Sequence, residues 1–382
     1  MMDKKRIVFA FVEAGLGHIM PMRAIAAAFE KKYGEQVEVI KTDFFKDTGD
    51  PQMKSVEDEL IAEVKLHNKH KSRGKTQFRL LRLFGPKLSM KYLMEGRYGR
   101  CFKQSLEYIK KLDADLIVNT HFASLYYSCA ARAKGMSRAK VAAYCPDPVI
   151  GLQWDARADL IGMSSDIGKR KAKKSRYFRK TRVEDVPFLI RGEVQNYAFD
   201  RARYRRELGL PEDNFTVFLC DGAYGAGKIR QTVIELLKSP QKMTIAAVCG
   251  RNEELYKEFC ALPVPEHITF APYGFTDKTL ALSASCDLFI GKAGASNLAE
   301  PAYFGAPAIV TFLATPIEKW ISAHHEHSGR AVRVTNIPKA VALARSWLEN
   351  PALMEPYAAQ CRKLARCDGP EIYADLLWDM LQ

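Results

Sequence analysis

The chain has 382 residues, 47% hydrophobic, 27% charged and 10% aromatic, with a formal net charge of +14. That length implies two domains of roughly 100–200 residues each, and the composition excludes a disordered or low-complexity chain. The charge is local: 65–103 holds twelve Lys or Arg against one acid, Glu95, and 169–182 holds nine and no acid, so the remainder carries −6. Cations gathered in this way point to binding surfaces rather than to general solubility.

At the N-terminus, Lys4-Lys5-Arg6 followed by Ile7–Val12 has the outline of a signal peptide. Glu13 ends the apolar run after six residues and no small-residue cleavage site follows, so the segment is expected to be a buried first strand. A turn at Gly15-Leu16-Gly17, a helix over 20–32 and a strand over 37–40 come next. Further strands are expected at 116–119, 141–144 and 160–163, with a helix over 124–134. In 65–103 the cations alternate with Phe78, Leu80, Leu81, Leu83, Phe84, Leu88, Tyr92 and other large apolar residues, a pattern suited to an anionic lipid surface. The nearly all-charged 169–176 run is expected to be a mobile surface loop. Nucleic acid is not an expected partner, because no helix-turn-helix, zinc-finger or RNA-recognition signature accompanies the charge.

The alternation restarts after about residue 205, with strands expected at 216–220, 245–249, 268–271, 288–291 and 308–312 and a helix over 229–237. Short apolar strands alternating with helices predict an α/β fold of two doubly wound parallel-sheet (Rossmann-like) domains facing across a cleft, 1–198 and 199–382, with the last helix free to pack back on the first domain. Ligands are expected at the carboxyl ends of the strands.

Three turns there carry chemistry. Glu13-Ala14-Gly15-Leu16-Gly17-His18 sets an imidazole at a helix start, where it can take a proton from a hydroxyl or only cap the turn. Asp221-Gly222-Ala223-Tyr224-Gly225-Ala226-Gly227-Lys228-Ile229 has most of a P-loop, but Ile229 stands where Ser or Thr would hold magnesium. A loop offering backbone N–H groups to phosphates remains. Gly291-Lys292-Ala293-Gly294-Ala295-Ser296-Asn297-Leu298-Ala299-Glu300 is the most informative: Ser296 is expected to cap a helix whose free N–H groups face a diphosphate, with Glu300 placed for a ribose diol or for the helix dipole.

With Cys249-Gly250-Arg251-Asn252, these motifs resemble those of the GT-B-fold glycosyltransferases that act on lipids, family 28-like enzymes such as the monogalactosyldiacylglycerol synthases and bacterial diacylglycerol glucosyltransferases. The resemblance runs from Ile7 to about Val334. It implies inverting, metal-independent transfer of a sugar from a UDP-sugar to a lipid at an anionic membrane surface, by a cytoplasmic protein peripheral to the inner face of the cell membrane. By the same resemblance His18 is the base and Glu13 a second base or its orienting partner. The donor falls to Gly222, Gly225, Gly227, Arg251, Phe275, Lys292, Gly294, Ala295, Ser296, Glu300 and Glu318. The acceptor and membrane fall to Gly15, Gly17, Arg79, Arg82 and Lys87; His121 and Asp147, each after a strand, are placed either to line the acceptor site or to serve the core or a turn. No bound cofactor or metal is expected.

The chain departs from that pattern at three places: Ile317 replaces one of two polar readers of the donor sugar, Pro301 lies early in the helix after the phosphate turn, and Leu16 replaces a glycine. Alternative readings are a UDP-N-acetylglucosamine 2-epimerase-like enzyme and a non-catalytic nucleotide- or polyanion-binding module.

Overall fold

A computed structural model describes residues 4–13, 16–69, 85–151, 153–225 and 227–382. Gly15, Arg79 and Arg82 lie outside them. The chain divides into two compact units, 1–192 with 367–382, and 193–366. Among the described residues no helix is long and apolar enough to cross a membrane.

The N-terminal unit holds a six-stranded parallel sheet: β1 (Lys5–Phe11), β2 (Val37–Asp43), β3 (Leu116–Asn119), β4 (Lys140–Cys145), β5 (Leu160–Met163) and β6 (Arg182–Asp185), in the order β2-β1-β3-β4-β5-β6. Successive residues of β1 face opposite sides. Ile7 and Phe9 pack with Met22, Ile25 and Phe29 of the helix Leu16–Tyr33 and with Tyr373 and Leu377 of the helix Gly369–Leu381. Val8 and Ala10 pack with Val56, Leu106 and Tyr127 from the helices Pro51–Lys69, Phe102–Leu112 and Phe122–Ala133. Burial on both faces is why the strand reads as an unbroken apolar run. Each large side chain so buried contributes about 1.5–3 kcal/mol. The last helix is fastened to the same unit: Tyr373 Oη donates to the Ala143 carbonyl at 2.6 Å, and Trp378 stacks on Tyr33 with ring centroids 4.5 Å apart.

The C-terminal unit repeats the design with β7 (Thr216–Cys220), β8 (Met243–Val248), β9 (Ile268–Tyr273), β10 (Leu288–Lys292), β11 (Ala308–Phe312) and β12 (Ala331–Arg333), in the order β12-β11-β10-β7-β8-β9. Val217 and Leu219 face Val233 and Trp347 on one side, while Phe218 and Phe289 face Leu282, Leu298 and Ile321 on the other.

Two expectations are corrected. The strands β6 and β12 were not foreseen, being edge strands of four and three residues with charged positions, the form in which sheet edges are kept from pairing. The basic run at 169–174 is no loop but part of the helix Asp166–Lys174. Ser165 Oγ caps that helix by accepting the Gly168 N–H at 3.0 Å, Gly168 and Ala172 are buried, and Lys169 pairs with Glu184 and Asp185.

Candidate functional site

Parallel strands deliver all their carboxyl-end turns to one edge of a sheet. In the N-terminal unit that edge carries Glu13 after β1, Thr120 and His121 after β3, and Asp147 after β4. His18 is the third residue of the helix Leu16–Tyr33, and its Nδ1 lies 2.6 Å from the Thr120 carbonyl oxygen. A carbonyl can only accept, so Nδ1 carries the hydrogen and Nε2 keeps its lone pair. Enclosure lowers the His18 pKa, opposed by the bond to Thr120, and the ring is neutral at pH 7. His121 meets it edge-on, with centroids 4.7 Å apart. His121 has the opposite tautomer: its Nδ1 accepts the Ala123 N–H at 3.2 Å and caps the helix Phe122–Ala133. Burial, and then His18, hold its pKa well below the ordinary value.

Glu13 is exposed and pairs with Lys46 at 3.6 Å, and the group that orients His18 is the Thr120 carbonyl. Among the described residues nothing lies within 4 Å of where a Cβ on Gly17 would stand. Asp147 lies between two buried prolines, and the carbonyls of Pro146 and Pro148 accept from Ser164 Oγ at 2.9 Å and Ser165 Oγ at 2.7 Å. That backbone is fixed, yet the Asp147 carboxylate has no hydrogen-bond or ionic partner among the described residues, and burial raises its pKa to about 7.

Sequence reasoning missed a carboxyl pair at the same edge. Asp43 ends β2 and Glu57 lies on the helix Pro51–Lys69; both are buried, and Asp43 Oδ1 and Glu57 Oε1 have no donor among the described residues. Two like charges buried at one site disfavour full ionisation, so the pair favours a proton on one of them. Burial, then the Asp43 charge, raises Glu57 to about 7. A carboxyl raised on folding stabilises fully below its unfolded pKa and loses that contribution as pH rises through the folded value. Glu57→Gln is therefore expected to raise Tm at pH 8 and leave it nearly unchanged near pH 5. Thermal unfolding at the two pH values checks this; a Tm lowered equally at both would show that the pair shares no proton.

In the C-terminal unit the corresponding edge gathers three turns. Gly222 and Gly225 take φ of 82° and 56°, and Gly250 takes 61°. A Cβ at Gly225 would stand 2.4 Å from the Cys249 carbonyl and one at Gly250 2.4 Å from that of Ala223, so the turns after β7 and β8 interlock through glycine. Arg251 lies over the Phe275 ring at 4.9 Å, and both line a cavity of about 300 Å³ with Gly250, Glu253, Tyr256 and Gly274. Phe275 is 62% exposed there, an open ring face beside a cation.

The turn after β10 differs from expectation at its cap. The helix Ala295–Tyr303 is capped by Gly294 without a side-chain bond, and Ser296 is its second residue. The Ala295, Ser296 and Asn297 N–H groups precede the first intrahelical bond, Leu298 N–H to the Gly294 carbonyl. Asn297, not foreseen, ties this start to β7 through the Cys220 carbonyl at 3.3 Å. Pro301 lies inside the helix rather than shifting its start. Glu300 is buried one turn in.

Lys292 Nζ pairs with Glu318 Oε1 at 2.9 Å, and Glu318 Oε2 accepts the Ala314 N–H at 2.5 Å, so both oxygens of the candidate sugar reader are engaged. Ile317 packs on the core beside it. A Cβ at Gly222 would stand 3.7 Å from Lys292 Nζ, which places this cation against the Gly-rich turn. Lys228 turns away to the Thr335 carbonyl. Glycine turns, a helix start and one enclosed cation are suited to a diphosphate.

Residues 216–318, within the C-terminal unit, match the glycosyltransferase family 28 C-terminal domain. The chain is 22% identical to monogalactosyldiacylglycerol synthase 1 of Arabidopsis thaliana, over 80% of this chain and 58% of that protein. It is 30% identical to the UDP-N-acetylglucosamine--N-acetylmuramyl-(pentapeptide) pyrophosphoryl-undecaprenol N-acetylglucosamine transferase of Acetivibrio thermocellus, over 41% of this chain and 42% of that protein. It thus spans less than two thirds of the length of these relatives. The crystal structure of Acinetobacter baumannii MurG, 16% identical, superposes with a TM-score of 0.62 over 99% of this chain and 100% of that one. The two six-stranded parallel sheets have the GT-B fold.

Proposed function

We propose that the chain is a glycosyltransferase that moves a sugar from a UDP-sugar to the hydroxyl of a lipid, of diacylglycerol type, at an anionic membrane surface. One observation carries this: the matched family 28 domain, 216–318, encloses all three turns that gather glycines, a free helix start and Lys292 at the edge of the second sheet. The N-terminal unit binds the acceptor and the C-terminal unit the donor. His18 Nε2 takes the proton as the acceptor oxygen attacks the anomeric carbon opposite the diphosphate, a single displacement that inverts the centre. Lys292 and the N–H groups of residues 295–297 receive the charge that builds on the departing UDP. Glu300 holds the ribose, Arg251 and Phe275 the base, and His121 and Asp147 line the acceptor site. The test is product analysis by mass spectrometry with UDP-sugars and a lipid extract. Epimer formed from UDP-N-acetylglucosamine alone would replace the transferase reading, and absence of any turnover would leave a binding module.

The membrane contact is proposed for the helix Pro86–Lys91 and the π-helical segment Tyr92–Arg97 that continues it, where Leu88 is 57% and Tyr92 72% exposed beside exposed Lys87 and Lys91. Each cation near an anionic surface contributes about 1 kcal/mol, and the apolar side chains add a part that salt does not screen. A Lys87→Glu, Lys91→Glu, Tyr92→Ser variant is expected to bind anionic vesicles at least about tenfold more weakly. Activity on a short-chain soluble acceptor should persist. Cosedimentation equal to wild type would move the anchor to the basic helix Asp166–Lys174.

A further inference from the structure

Asp221 follows β7 and is 2% exposed. Its Oδ2 accepts the N–H of Ile229 at 2.7 Å, the first residue of the helix Ile229–Leu236, so one carboxylate closes the Gly-rich turn from end to end. It also lies directly beneath that turn: a Cβ at Gly227 would stand 2.2 Å from Oδ2. The other oxygen, Oδ1, is buried with no hydrogen-bond donor among the described residues. Asparagine would accept the same N–H without a charge, so closing the turn does not explain a buried carboxylate.

The cation near it is shared. Lys292, at the end of β10, is the cation that acts on it, and Lys292 is already paired with Glu318 from the helix Pro316–His327. Backbone N–H groups of Ile229, Lys228 and Lys292 favour its charge, while Asp221 and Glu300, from the helix Ala295–Tyr303, both act on the neighbouring Cys220 thiol. Burial raises the Asp221 pKa to about 6, so the group is ionised at neutral pH but only narrowly.

We propose that Asp221 is the positioning residue of the Gly-rich donor turn, and that capture of a nucleoside diphosphate ester at this turn draws a proton onto its carboxyl. The inference rests on the reading of this turn as a diphosphate site. The arriving anion adds negative charge above a carboxylate whose cation is shared, and ionised Asp221 becomes more costly. The proton comes from solvent, no covalent bond forms or breaks, and the neutral carboxyl still accepts the Ile229 N–H through its carbonyl oxygen.

The test is calorimetry of UDP-glucose, whose diphosphate diester does not titrate in the neutral range, at about pH 7 in two buffers of different ionisation enthalpy. Wild type is expected to take up part of a proton per ligand bound, and its affinity to fall roughly three- to tenfold from about pH 6 to pH 8. Asp221→Asn should fold with an equal or higher Tm, bind without uptake and show a flat pH dependence. Binding to wild type without proton uptake overturns the inference whatever the variant does, and leaves the donor reading standing. Equal uptake in Asp221→Asn assigns the proton elsewhere and also overturns it. Absence of UDP-glucose binding overturns the donor reading together with the inference.

Discussion

Replacing His18 by Ala is expected to lower kcat by about 10²–10⁴-fold while the affinity for UDP stays within a factor of about two. The size follows from the tautomer. Nδ1 donates to the Thr120 carbonyl at 2.6 Å, which fixes the ring and leaves Nε2 as the lone-pair nitrogen. Enclosure keeps the imidazole neutral at pH 7, so the base is present in its working form. His18→Asn, which can still donate to Thr120, should be as slow as Ala, because it restores the contact without the proton acceptor. The measurement is steady-state transfer with UDP binding followed separately. If His18→Ala turns over near the wild-type rate, proton removal belongs to another group at that edge, with Asp147 next in line.

The second large effect is expected at Lys292. Lys292→Met leaves Glu318, whose side chain is 8% exposed, with the Ala314 N–H but no cation. Removing one partner of a buried ion pair costs about 3–5 kcal/mol, because the remaining charge stays buried. UDP affinity should also fall about ten- to a hundredfold, the loss of one charge-assisted bond to phosphate. These effects separate in the double variant Lys292→Met, Glu318→Gln, which removes the orphaned charge. Its unfolding midpoint should recover most of the loss while its UDP affinity stays low. Recovery of both in the double variant would make Lys292 a counter-ion of Glu318 and nothing more.

The strands were legible because parallel strands covered on both faces need apolar residues at successive positions, as in Ile7–Phe9 and Val217–Leu219. The edge strands β6 and β12 were not, since an edge strand is short and charged and looks like a loop. The lysines of 169–174 hid a helix because only Gly168 and Ala172 face inward, too few to show a period. Candidate chemistry was readable where it follows an apolar run in a glycine turn, as with His18 and Lys292. Its partners were not. The carbonyl that sets the His18 tautomer belongs to a residue 102 positions away, and a carbonyl has no sequence signature. Asn297 meeting the Cys220 carbonyl and the Asp43 charge acting on Glu57 likewise depend on which strands become neighbours.

The helix Gly369–Leu381 has a consequence for the order in which the protein is made. It supplies Tyr373, Ala374 and Leu377 to the core of a unit whose other residues end at 192. A ribosome that has finished residue 366 has delivered every residue of the C-terminal unit, while the N-terminal unit still lacks one wall of its sheet. Until the helix Gly369–Leu381 emerges, Phe9, Phe29 and Tyr144 face an open side, and the N-terminal unit is completed after the C-terminal one. A chain stopped after residue 366 would keep the C-terminal unit yet lose the cover of the strands beside His18, so Gly369–Leu381 decides whether a sheet more than 180 residues earlier can hold its shape.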